Sequence, residues 1–149
     1  MPTVTTNYFR QELAAGNVNL SGADTFAVAL MNYIVTNSSE DNLKAAYSWY
    51  NDTSPIGAAV SAFESSSVGY SATTLTAGNL YINGNALCWS GTNISWSNIT
   101  NNSPGPYGLC IYRPSDGLVV GFIDFGGPKE VVNGTLTIEW NTGGIAQII

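Results

Sequence analysis

The stretch Tyr107-Gly108-Leu109-Cys110-Ile111-Tyr112-Arg113-Pro114-Ser115-Asp116-Gly117-Leu118-Val119-Val120-Gly121-Phe122-Ile123-Asp124-Phe125 decides the fold. Two apolar runs rich in β-branched and aromatic residues flank a Pro-Ser-Asp-Gly turn, which reads as a β-hairpin. A second run, Asp24-Thr25-Phe26-Ala27-Val28-Ala29-Leu30-Met31, puts Phe26, Val28 and Leu30 on one face. Its other face carries Thr25, Ala27, Ala29 and Met31. Large on one side and small on the other is the pattern of a strand covered on both sides.

Outward from these runs the punctuation stays β. Asn79-Leu80-Tyr81-Ile82 leads into Asn83-Gly84, a dipeptide that favours a type I′ hairpin turn. Ala86 to Ser90 follows, and Ile94-Ser95-Trp96-Ser97 alternates. Asn101 to Pro106 is loop by its turn residues. After Gly126-Gly127-Pro128-Lys129 and a tight turn at Asn133-Gly134, the run Thr135 to Trp140 places Leu136, Ile138 and Trp140 on one face. Short strands at this spacing predict a mainly β chain: an antiparallel β-sandwich, jelly-roll-like, or a partly open barrel. One helix precedes it. Thr5 or Thr6 can cap it, Phe9 and Leu13 share a face, Tyr8 and Glu12 make a more exposed pair, and Gly16 stops it. The stretch from Ser38 to Ser54 reads as loop with about two helical turns, on a stripe of Leu43, Ala46, Tyr47 and Tyr50. Ala58 to Phe63 fits a strand or a short helix. With neither repeat nor linker, 1–149 is expected to be one sandwich domain, with 1–20 its N-terminal helix and arm.

Composition excludes several kinds of chemistry. The chain has 149 residues, 44% hydrophobic, enough to bury a core. Charged residues are only 9%, against about 25% in an average domain. Ser, Thr, Asn and Gly take their place, so the surface is wetted mainly by neutral hydrogen-bonding groups. There is no histidine, hence no Ser-His or Cys-His pair and no imidazole metal ligand. Four basic residues, Arg10, Lys44, Arg113 and Lys129, set no phosphate-binding stripe against a net charge of −6, so nucleic acid is not an expected partner. No apolar run approaches the roughly 20 residues of a membrane span. Met1 to Thr6 lacks the basic head and apolar stretch of a secretory leader, so synthesis in a cytoplasm is the expectation.

Single residues yield no site chemistry. Cys88 and Cys110 lie in apolar strand-like runs and are expected to be buried thiols, a bridge between neighbouring strands being the alternative. Asp124, within Gly121-Phe122-Ile123-Asp124-Phe125, is expected to accept bonds from nearby amides or from Lys129. Calcium would need several oxygen ligands close together, and Asp116 and Asp124 alone supply too few. Asn-x-Ser/Thr triplets, as at Asn93, Asn98 and Asn133, run about twofold above the roughly three that chance gives in an Asn-rich chain, and without a secretory leader that excess is not evidence of glycosylation. Trp96 and Trp140 alternate with Ile94, Leu136 and Ile138 and so belong to the core. Trp49 and Tyr50 are the better candidates for an exposed aromatic contact. The apolar end, Gly143 to Ile149, is expected either to close the chain's own sheet or to add a strand to a neighbour's. No cofactor and no metal is expected.

Thr6 to Gly16, then Asp24 to Met31, Gly69-Tyr70, Ile94-Ser95-Trp96, Val120 to Gly126 and Asn133 to Trp140 follow one another at a spacing that resembles small virion structural proteins of tailed bacteriophages, the head decoration (cement) or tail-associated proteins. The resemblance runs nearly the whole length and rests on strand and turn patterns. It implies no catalytic residue. It implies binding to a major capsid protein lattice at the outer surface of the head, and association as a homotrimer. Contact residues are then expected on the helix (Tyr8, Phe9, Leu13), at Trp49 and Tyr50, and at the C-terminal end (Ile145, Ile148, Ile149). Tyr47 to Pro55 is the stretch where partner choice could differ. The net charge also disfavours the genome-facing side of a shell. Rival readings are a tail or head-fibre component and a carbohydrate-binding β-sandwich; an enzyme stands third.

Overall fold

A computed structural model describes residues 3–32, 61, 64–101, 105–140 and 144–148. Trp49, Tyr50, Ile149, the 38–54 stretch and nearly all of 58–63 therefore lie outside the described residues. The remainder is mainly β: β1 (Thr3–Thr5), α1 (Asn7–Ala14), β2 (Phe26–Met31), β3 (Thr73–Leu75), β4 (Ala77–Asn83), β5 (Ala86–Gly91), β6 (Ile94–Ile99), β7 (Gly108–Arg113), β8 (Leu118–Asp124), β9 (Gly134–Ile138) and β10 (Ala146–Ile148). All strand pairs are antiparallel. They form a five-stranded sheet in the order β1-β8-β7-β2-β3, a three-stranded sheet β10-β5-β4 and the pair β6-β9, with no closed barrel.

The alternation in β2 explains its inner position in the large sheet. Phe26, Val28 and Leu30 stand opposite Leu75, Ile111 and Leu109, and all six belong to the core. On the other face Ala27, Ala29 and Met31 meet Tyr112, Cys110 and Gly108, and every β2 residue is buried. Covering both faces needs apolar side chains on both, as the sequence has them. Fully burying a side chain such as Leu30 or Ile111 contributes about 1.5–3 kcal/mol relative to leaving it in water. The three-stranded sheet joins the same core through Trp89 of β5. Its ring meets Phe26 edge-on, with centroids 5.0 Å apart and planes at 69°. Trp89 Nε1 is buried and finds no hydrogen-bond partner among the described residues. The pair β6-β9 adds Ile94, Trp96, Ile99 and Ile138.

Local chemistry sets the element ends. Thr6 caps α1: its Oγ1 accepts from Phe9 N at 3.2 Å and donates to the Val119 carbonyl at 2.6 Å. The cap thus ties the helix to β8, and Phe9 drops into the core at 1% exposure. The β4-β5 hairpin forms where Asn83-Gly84 predicts it, but the turn is shifted by one residue. Asn83 pairs with Ala86, so Gly84 and Asn85 are the two loop residues. Only the first has positive φ (61° at Gly84), the mark of a type II′ rather than a I′ turn. Asn133 enters β9 at φ 47°, its amide bound to Thr100 Oγ1. Here the expected tight turn is a bend, because β9 pairs with the distant β6.

Candidate interaction surface

Polar clusters come first, since they would carry any chemistry. Arg113, at the end of β7, is buried and donates in four directions. Nε and Nη2 grip the Asp116 carboxylate in a fork at 3.1 and 2.7 Å. Nη1 reaches Asp24 Oδ2 and the Asn17 carbonyl, both at 2.8 Å. Asp24 accepts in addition from Asn19 N. The guanidinium thereby pins the 17–24 loop to the β7-β8 turn. Its hydrogen bonds hold the Asp116 carboxyl below the usual carboxylate range, and the two acids raise the already high pKa of Arg113.

A second cluster lies against β2. The Tyr70 hydroxyl donates to Glu64 Oε1 at 2.8 Å and accepts from Leu30 N at 2.9 Å. Burial, then the neighbouring Glu64, push this phenol far above its ordinary value. Burial likewise pushes the Cys110 thiol up, with Glu64 adding to it. Both cysteines are free and buried, in different sheets, as the thiol reading expects. Asp124 accepts from Gly126 N at 2.7 Å, the amide option of the two expected. Trp96 is a core residue whose Nε1 donates to Ser71 O, while Trp140 packs at the margin and donates to Thr92 O. Among the described residues no group of three or more Cys, Asp or Glu could hold a metal ion. No described helix is long and apolar enough to cross a membrane. The Arg113 and Tyr70 clusters thus join elements of the fold to one another.

The expected contact residues separate. Phe9 and Ile145 are both 1% exposed and are spent on the core. Tyr8 and Leu13 pack against the core while keeping part of their surface in solvent. Ile148 stands opposite Leu87, in a β10 that pairs with β5 of its own chain. The terminal strand therefore closes the chain's own sheet, the first of the two options.

What the sequence reading missed are four exposed aliphatic side chains. Val68 and Val132 lie 71% and 79% exposed on either side of Thr100, which bridges to Val68 and binds the amide after Val132. Ile82, 70% exposed, and Leu80 project from β4, an edge of the three-stranded sheet. A signal for the second pair was present. From Ser65 to Tyr112 the chain contains no Asp, Glu, Lys or Arg, and none follows Glu139. The sheet β10-β5-β4 therefore carries no side chain of those four types. A surface of this kind is desolvated at low electrostatic cost.

No family model matches the chain, and no curated protein and no solved structure matches it significantly.

Proposed function

We propose that this chain is a non-enzymatic structural protein of a virion, a capsid decoration (cement) protein that binds the outside of a phage head and stabilises the shell. One observation carries the reading: a described surface of neutral hydrogen-bonding groups and exposed aliphatics, with a whole sheet free of acidic and basic side chains. Burying such a surface against a lattice strands no charge and immobilises few long side chains. The resemblance to small phage virion proteins supports the same class and suggests three copies around a symmetry axis, with major capsid protein as partner. A component that binds assembled lattice but not loose subunits converts its affinity into shell stability, about 2.7 kcal/mol per site at a hundredfold excess over Kd. Repeated copies add avidity.

The test is uptake of the purified protein by empty shells that lack it, read by co-sedimentation and by the shells' thermal transition. Saturable binding with a raised transition is expected. Absence of uptake overturns the reading. Antibody labelling of tails alone would make it a tail component, and glycan-array binding would make it a sugar-binding module.

A further inference from the structure

We infer that the outer edge of β4, which pairs with no strand among the described residues, is a self-association site, where a second copy of this chain adds its own β4 antiparallel, centred on Tyr81. The inference stands independently of the virion reading. It starts from the hairpin. A two-residue loop makes its flanking pair, Asn83 and Ala86, the hydrogen-bonded one. The alternation then turns the Tyr81 backbone toward β5 and the backbone groups of Leu80 and Ile82 away from it, to the open edge. The neighbouring strand agrees. Trp89, opposite Leu80, uses its carbonyl on the β10 side, where it accepts from Ile145 N. The β4 edge thus presents two N–H and two C=O groups, framed by the side chains of Leu80 and Ile82.

That set is self-complementary. Placing Tyr81 opposite the second copy's Tyr81 puts Leu80 of each copy against Ile82 of the other. Each such pair exchanges two hydrogen bonds, so the two-fold contact makes four and brings the exposed aliphatics together across strands. The sequence of β4 brings neither of the residue types that block pairing, since it has no proline and no charged residue. Its bulge falls between Ala77 and Leu80, outside the paired segment.

Charge selects the occupant. Copies with a net charge of −6 repel at most orientations. At β4 neither copy brings an acidic side chain, and neither offers the basic groups that would draw an acidic foreign partner. A second copy supplies an uncharged edge of matching register. The contact is small, so association is expected to be weak and reversible.

Sedimentation of the wild-type protein is expected to show a concentration-dependent two-fold association step, in which the smallest species in solution pairs through β4. Ile82→Pro removes an outward N–H that β5 does not use, and Ile82→Lys brings in the charge that edge strands use against pairing. Each is expected to raise the dissociation constant at least about tenfold, or about 1.4 kcal/mol, with the native circular dichroism spectrum kept. Should the proline variant fail to fold, the lysine variant decides. Tyr81→Cys in a Cys88→Ala background is expected to give a covalent dimer on mild oxidation, since paired non-hydrogen-bonded positions bring Cα atoms to about 4.5 Å. Asn85→Cys, in the hairpin loop and in the same Cys88→Ala background, is expected to give none. A wild type that shows no two-fold association step at any concentration, or an association unchanged by Ile82→Lys, overturns the proposal.

Discussion

Thr6 shows how much one side chain can join. Its hydroxyl satisfies a helix amide and a β8 carbonyl at once, and the residue is fully buried. Thr6→Val keeps the shape and removes both bonds, leaving Val119 O without this donor. A loss of about 1–3 kcal/mol is expected, read from the urea midpoint at constant m. Asp116 is the charged counterpart. Its carboxyl is held low by Arg113, so its contribution is present above the ordinary carboxylate pKa and is lost as pH falls through the lowered value. Asp116→Asn is therefore expected to be less stable at neutral pH, and the gap to wild type should close in acid. Because the Asp116 side chain is 40% exposed, the neutral-pH loss should stay near about 1 kcal/mol. A gap that persists unchanged at acid pH would show that the fork does not act through charge.

At the scale of elements, the C-terminal strand is fixed by a glycine two residues ahead of it rather than by its own length. Gly144 sits at φ +74°, and a Cβ there would lie 2.3 Å from the Trp89 carbonyl oxygen. Gly144→Ala is expected to cost about 1–3 kcal/mol in backbone strain alone and to lift Ile145 out of the core. Hydrogen exchange should then rise in β5 and β10 while β7 and β8 stay protected; equal loss in both sheets would show that they open as one unit. The elements legible in the sequence were those with local signatures. The helix had its cap and stop, β2 its large-small alternation, and the β7-β8 hairpin a Pro-Ser-Asp-Gly turn. The type II′ turn was missed because Asn83-Gly84 and Gly84-Asn85 are both good turn pairs. The register across β5 chose between them.

Over the whole molecule, the two thiols report on cooperative opening. Cys88 and Cys110 are fully buried in different sheets. Neither is expected to react with a thiol reagent in native buffer, and both should react when the fold opens, since only an exposed thiolate attacks. Rapid labelling of one alone would mark the sheet that opens separately. The candidate surface was the least legible part. Of the helix residues expected at a contact, Phe9 is buried, because the helix is docked through it. The exposed pair Leu80 and Ile82 lies in the stretch without charged residues, but its alternation alone is that of a core strand.

Amphipathic alternation, turn residues and composition determined most of the strands, the N-terminal helix, the β class and the scarcity of charge. These depend on neighbours a few residues apart, or on counts alone. Which apolar side chains face water was decided only by tertiary structure. Alternation assigns two faces to β4 but does not say what stands over them, and that depends on strands far along the chain.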